Sequence, residues 1–171
     1  MWVFGYGSLM WRPGFDFVEK SRATLDGHRR AFCVRTVHHR GAPGRPGLVM
    51  GLKPDAGACI GMAYRVAPEN AVAVAGYLRE RELDHYPVYR ESTIALVLDD
   101  GRAVTATTYL PRPDHPDFLP DLSLAEQLAI IREASGVSGT NPDYVRSAAA
   151  ALREMGLDEP AIFAVEAALD A

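Results

Sequence analysis

Short apolar runs with alternating polar positions dominate the first two thirds of the chain, a pattern typical of β-strands. Near the N-terminus, Val3 and Phe4 lead directly into Gly5-Tyr6-Gly7-Ser8-Leu9, which predicts a buried strand that ends in a turn. Further strands are predicted at 15–25, 30–35, 48–52, 59–66, 86–98 and 103–110, with turns at 26–27, 53–57 and 99–101.

Helical spacing appears in the middle of the chain and at its end. Pro68 suits the first turn of a helix, and the residues that follow on one face are Ala71, Ala75, Leu78 and Glu82. Three more helices are predicted, one after a capping box at 123–126, one that Asn141 caps, and one over 160–169. Hairpin-linked strands with helices grouped apart from them predict an α+β fold, and the length suits a single domain over residues 1–171.

Composition excludes several function classes. Charged residues make up 23% of the chain and its net charge is −4, so we expect no nucleic-acid surface. No run approaches the roughly 20 apolar residues of a membrane span, and no basic leader precedes an apolar run, so we expect a soluble protein that binds no membrane. Cys33 and Cys59 lack the spacing of a disulfide framework or a metal site, which favours a reducing, cytoplasmic setting.

The opening turn has the chemistry of a ligand site. Gly5 and Gly7 allow positive φ and a close approach of a bound group, while nearby amides and the Ser8 hydroxyl can donate to a carboxylate or carbonyl. The spacing fits neither a phosphate loop nor a dinucleotide fingerprint. An ordinary strand followed by a turn explains the pattern equally well.

The charged run at 79–82 contains one carboxylate in an unusual position. Glu82 continues the apolar face of its helix, whereas Glu80 lies nearly opposite and faces solvent. Desolvation and the negative end of the helix dipole both disfavour a charged Glu82, so we expect its pKa to be raised, as a proton-transfer group requires. The alternative is a structural ion pair between Glu82 and an arginine such as Arg35 or Arg90.

A basic segment of irregular structure runs from His38 to Gly47. It is either a solvated loop or a cationic rim for an anionic substrate. Its adjacent histidines have no third ligand at metal spacing, so we predict no metal site. Tyr144, in the first turn of a helix, belongs either to the core or to the wall of a site.

Four segments, in the same order along the chain, together resemble the ChaC family of glutathione-specific γ-glutamylcyclotransferases. They are Val3-Phe4-Gly5-Tyr6-Gly7-Ser8-Leu9, His39-Arg40-Gly41 with Arg45-Pro46-Gly47, Arg81-Glu82 after Tyr77-Leu78, and Gly136-Val137-Ser138-Gly139-Thr140-Asn141 with Tyr144. The resemblance implies a small mixed β-barrel flanked by helices. It also implies a lyase that splits glutathione into 5-oxoproline and cysteinylglycine with no cofactor and no metal.

The resemblance assigns the site residue by residue. It implies that Val3 to Leu9 hold the γ-glutamyl group, that Glu82 is the catalytic glutamate, and that Arg35 and Tyr144 are further substrate contacts. The chain departs from the family at Leu83-Asp84-His85-Tyr86-Pro87, where many members have a glycine-containing loop. The departure leaves open how strictly glutathione is preferred.

Two alternatives remain beside this interpretation, namely the same reaction on other γ-glutamyl amino acids or amines, and a non-catalytic protein that binds a γ-glutamyl metabolite. His85 and His115 are surface histidines by default, and substrate contact by either is open, as is the oligomeric state.

Overall fold

The computed structural model describes residues 1–84 and 86–170. Its strands are Trp2–Gly5 (β1), Glu19–Thr36 (β2), Gly47–Arg65 (β3), Tyr89–Leu98 (β4), Ala103–Pro111 (β5), Ser135–Gly136 (β6) and Gly139–Thr140 (β7). Its α-helices are Ala71–Leu83 (α1), Leu124–Ile131 (α2), Asn141–Glu154 (α3) and Pro160–Leu169 (α4). Single 3-10 turns are formed by Ser8–Met10 and Pro68–Asn70.

Five strands close into a barrel in the order β1, β3, β2, β4, β5. Strand β1 runs antiparallel to β3 but parallel to β5, so the barrel is mixed. Apolar side chains fill it, including Phe4, Leu25, Leu52 and Leu96, and burial of each stabilises the fold by about 1.5–3 kcal/mol. The predicted α+β fold with a small mixed β-barrel and helices is confirmed.

The chain divides into two compact units. The first comprises Met1–Arg30 and Leu52–Arg112, and it contains β1, α1, β4 and β5. The second comprises Ala31–Gly51 and the chain from Pro113 onward, where α4 packs on both α2 and α3. None of the helices in the described residues is long and apolar enough to cross a membrane.

Two of the predicted turns are wrong. The chain continues as strand through residues 26–27 in β2 and through 53–57 in β3. Gly27 does take a left-handed φ of 75°, but β2 continues through it. A long strand in a small barrel tolerates such a local irregularity. The predicted turn at 99–101 is confirmed between β4 and β5, with Gly101 at a φ of 85°.

The start of α3 differs from the prediction by one residue. Thr140 is the N-cap, and its hydroxyl accepts from the Asp143 amide at 3.2 Å. Asn141 is instead fully buried, and its side-chain amide bonds to both the amide and the carbonyl of Leu48, each at 2.7 Å. A short polar side chain at a helix start can cap or pair elsewhere, and here the neighbouring strand supplies the partner.

Candidate active site

The turn after β1 is shaped by packing and not by left-handed backbone. Gly7 has a φ of −124°, and Gly5 is not among the described glycines with positive φ, so that part of the prediction is wrong. Gly5 is required for space, because a Cβ there would lie 2.8 Å from the Leu9 Cβ. The chain then turns into the Ser8–Met10 3-10 helix, where the Met10 amide donates to the Gly7 carbonyl at 2.9 Å.

A buried arginine lies under this turn. Arg30 is fully buried, and its Nε donates to the Tyr6 carbonyl at 2.6 Å. Its Nη2 donates to the Ile60 carbonyl at 2.7 Å. Sequence reasoning missed Arg30, although the alternation of β2, which buries Phe32 and Val34, places residue 30 on the same face.

Glu82 lies near the end of α1, where Val74 and Leu78 precede it at four-residue intervals and are buried. Its side chain is 19% exposed, whereas Glu80 is exposed, as the helical spacing predicts. Burial raises the pKa of Glu82, and the positive charge of Arg81 opposes that rise. The predicted upward shift of this pKa is confirmed.

Arg81 connects Glu82 to the opening turn. Its Nε lies 3.2 Å from Glu82 Oε1, and its Nη2 donates to the Ser8 hydroxyl at 2.9 Å. Its Nη1 donates to the Arg12 carbonyl at 2.7 Å and to the Tyr77 hydroxyl at 2.9 Å. The ionic partner of Glu82 is therefore the adjacent residue, Arg81, and not Arg35 or Arg90, the two arginines suggested from the sequence. Sequence reasoning also missed this network, which joins the acid and the hydroxyl of the predicted site.

Arg35 and Tyr144 lie in the second unit, and the partners of both side chains described below belong to the same unit. Arg35 Nε pairs with Asp117 Oδ1 at 2.6 Å, so the carboxylate it meets belongs to this chain. The Tyr144 hydroxyl accepts from the Met50 amide at 3.2 Å, and the Arg40 guanidinium lies over its ring at 5.4 Å. As substrate contacts, Arg35 and Tyr144 stay predictions.

Two of the four family-like segments meet in the second unit. His39 Nδ1 hydrogen-bonds to the Ser138 hydroxyl at 2.9 Å, and Arg40 donates to the Thr140 carbonyl at 3.2 Å. Gly136 permits this approach, because a Cβ there would lie 2.2 Å from the His38 carbonyl oxygen. The basic segment is therefore held against the glycine-rich segment that precedes α3.

The two histidines left open by the sequence have different outcomes. His115 accepts from the Asp117 amide through Nδ1 at 3.1 Å, so this nitrogen has a partner within the chain. His85 lies outside the described residues. Across residues 1–84 and 86–170, no three His, Cys, Asp or Glu side chains converge as metal ligands would.

Similarity to known proteins identifies the family of this chain. The profile of the family described as ChaC-like protein matches residues 1–170, and the chain belongs to that family, as its motifs predict. One relative is the glutathione-specific γ-glutamylcyclotransferase of Escherichia coli strain K12, 37% identical over 93% of this chain and 68% of its own. The enzyme of the same name in Schizosaccharomyces pombe is 31% identical over 97% of this chain and 89% of its own.

A solved structure shows the same fold. The crystal structure of a γ-glutamyl cyclotransferase from yeast, described as specific to glutathione, matches with a TM-score of 0.88 at 23% identity. The match covers 99% of this chain and 95% of the yeast chain.

Proposed function

We propose that this chain is a γ-glutamylcyclotransferase that converts glutathione into 5-oxoproline and cysteinylglycine. The observation that carries the proposal is the partly buried Glu82 carboxyl, with its raised pKa, which Arg81 joins to the Ser8 hydroxyl of the opening turn. The similarity to glutathione-specific γ-glutamylcyclotransferases of two organisms supports the same reaction and substrate.

The reaction needs a group that moves protons. The α-amine of the substrate attacks its own γ-carbonyl and closes a five-membered ring, and a typical α-amine, with a pKa of about 8, is mostly protonated at neutral pH. Glu82 accepts a proton from this amine and then delivers it to the departing cysteine nitrogen. A raised pKa suits both steps, because it brings the carboxyl closer to the working pH.

The opening turn holds the γ-glutamyl group of the substrate. A near-attack arrangement of amine and carbonyl contributes on the order of 7 kcal/mol or more to lowering the barrier. Ser8 accepts a hydrogen bond from Arg81, which leaves its own O–H to donate to the substrate. Amides from Gly7 to Leu9 open a 3-10 turn, where the first N–H groups have no acceptor within the turn, and they stabilise the oxyanion.

We also propose that residues 1–171 form one γ-glutamylcyclotransferase-like domain and that the protein works in a reducing cytoplasm. The family profile supports this extent, because it spans residues 1–170 across both units. Both cysteines, Cys33 and Cys59, are buried, in keeping with a role in packing.

A second candidate is the same reaction on another γ-glutamyl amide, favoured by the sequence departure at 83–87 directly after Glu82. The basic segment around Arg40 and Arg45 favours glutathione instead, because its glycine end supplies a further carboxylate. A protein that only binds a γ-glutamyl metabolite would have little use for the raised pKa of Glu82.

One assay separates these functions. The purified protein is incubated with glutathione and, separately, with γ-glutamyl-alanine, and 5-oxoproline is measured from each. We expect product from glutathione alone. Product from γ-glutamyl-alanine at a similar rate would establish the broader enzyme, and no product from either compound would leave a binding protein.

A further inference from the structure

Tyr109, on β5, carries a buried hydroxyl that the proposed reaction does not use. The residue is 2% exposed, and its Oη has no hydrogen-bond partner within residues 1–84 and 86–170. An unpaired buried hydroxyl is unfavourable, and buried tyrosines normally find a partner. Tyr64 shows the usual arrangement, since its hydroxyl donates to the carbonyls of Leu9 at 3.0 Å and Met10 at 2.7 Å.

The backbone and the strand register connect Tyr109 to both halves of the candidate site. The Tyr6 hydroxyl donates to the Tyr109 carbonyl at 2.6 Å, and Tyr6 belongs to the opening turn. Glu91 of β4 lies opposite Tyr109 in the register, and Arg79 of α1 holds Glu91 by two hydrogen bonds of 2.7 and 3.0 Å. Arg79 lies three residues before Glu82, so the two share one side of α1.

Two carboxylates and one guanidinium act on this hydroxyl, since the charge of Arg79 opposes the effect of Glu91 and Glu82 on its pKa. Burial raises the pKa of Tyr109, and the charges of Glu91 and Glu82 act in the same direction, so the phenol stays protonated and neutral. Glu91 is near enough to act on this pKa, but its contact with Oη does not meet hydrogen-bond geometry. A negative ligand group is disfavoured here by the two carboxylates, whereas a positive one is attracted.

We propose that Tyr109 is a substrate-contacting residue, whose Oη accepts a hydrogen bond from the α-ammonium group of the substrate. The proposal rests on the proposed function, because that group belongs to the γ-glutamyl substrate. One ammonium proton passes to the Glu82 carboxylate, while Tyr109 keeps its own proton throughout. The hydrogen bond to Oη then holds the neutral amine with its lone pair directed at the γ-carbonyl.

The test uses Tyr109→Phe with two ligands that differ only in the α-amine, glutathione and glutaryl-cysteinylglycine. For glutathione, we expect kcat/KM to fall about tenfold or more, since the lost hydrogen bond involves a charged group. Glutaryl-cysteinylglycine lacks the amine and is assayed as a competitive inhibitor of glutathione turnover. We expect its inhibition constant to change less than about twofold, because the removed hydroxyl has no partner on it. Equal weakening of both ligands, or no change for glutathione, overturns the proposal.

Thermal stability gives an independent readout. Tyr109→Phe removes a hydroxyl that has no partner in the folded protein, so we expect an unchanged or higher Tm. Tyr64→Phe is the matched control, and its Tm should fall because two buried carbonyls lose their donor. A fall in the Tm of Tyr109→Phe equal to that of Tyr64→Phe would mean that Oη is bonded inside the protein, which contradicts the proposal.

A binding measurement keeps this proposal separate from the proposed function. 3-Fluorotyrosine is placed at position 109 in the Glu82→Gln variant, and its 19F resonance is followed. We expect a shift with glutathione and no comparable shift with glutaryl-cysteinylglycine. Equal shifts, or none, would overturn the contact even if Tyr109→Phe did not fold. Absence of 5-oxoproline from the wild-type protein would overturn the proposed function alone.

Discussion

The Arg81 guanidinium donates through Nη2 to the Ser8 hydroxyl at 2.9 Å. Its Nε faces Glu82 Oε1 at 3.2 Å, so one planar group contacts both the hydroxyl of the turn and the acid of the helix. A guanidinium presents several donors in a fixed plane, which lets it set the relative position of two partners. Arg81 is therefore a positioning residue, and it also opposes the rise in the pKa of Glu82.

Replacement of Arg81 tests this role. Arg81→Gln removes the positive charge, so the pKa of Glu82 rises further and the acidic limb of the kcat/KM profile moves to higher pH. A shift of one pH unit would lower activity on that limb by about tenfold. Arg81→Lys keeps the positive charge but lacks the planar set of donors that contacts Ser8 and Glu82 together. We therefore expect the acidic limb of its kcat/KM profile near the wild-type position, with a lower maximal kcat/KM. An unshifted limb in Arg81→Gln contradicts this account.

Glu82→Gln tests the proton-transfer group itself. The amide cannot accept the proton of the amine, so we expect kcat to fall by about 10²–10⁴-fold while KM changes little. Glu80→Gln is the matched control, because Glu80 is exposed on the other side of α1 and should keep its activity. Near-wild-type release of 5-oxoproline from Glu82→Gln would remove Glu82 from this role.

The raised pKa of Glu82 also predicts how stability depends on pH. The folded protein holds the Glu82 proton more tightly than the unfolded chain, so the wild type loses stability as pH rises from the ordinary glutamate pKa through the raised one. Glu82→Gln has no such loss. The Tm of the variant minus that of the wild type should therefore increase over this interval and level off above it. A difference that decreases with pH would mean that the pKa is lowered.

Gly5 and Gly76 form a contrasting pair of glycines. A Cβ at Gly5 would lie 2.8 Å from the Leu9 Cβ, so Gly5→Ala should lower the free energy of unfolding by about 1–3 kcal/mol and reduce activity. Gly76 is exposed within α1, and a Cβ there would meet nothing within 4 Å. Gly76→Ala should therefore stabilise the protein by about 1 kcal/mol. Urea unfolding measures both, and equal effects of the two changes would contradict the packing role of Gly5.

Asn141 supplies a test in the second unit. Asn141→Ala removes the partners of the Leu48 amide and carbonyl, and each buried unsatisfied group costs about 1–3 kcal/mol. Thr140→Ala removes only the cap on the Asp143 amide and should cost about 1 kcal/mol. Denaturant unfolding should show the larger loss for Asn141→Ala. A loss for Asn141→Ala no larger than that for Thr140→Ala would contradict the buried pairing of Asn141 with Leu48.

Local sequence patterns predict those parts of the site that depend on local geometry. Helical spacing separates Glu82 from Glu80, and the motifs identify the family and the barrel. The contacts of Arg81 are not predictable in this way, because Ser8 and the Arg12 carbonyl are 73 and 69 positions away. The turns expected at 26–27 and 53–57 fail for a related reason, since non-local strand pairing overrides local propensity.

The support beneath the opening turn limits how its motif can be used. Arg30, 24 residues further along the chain, fixes the Tyr6 carbonyl, and Tyr64 and Arg81 hold the residues that follow. A peptide with the sequence of residues 1–12 lacks all three supports and would populate many conformations in water. Grafting Gly-Tyr-Gly-Ser onto another protein would accordingly transfer the sequence of the motif without its conformation.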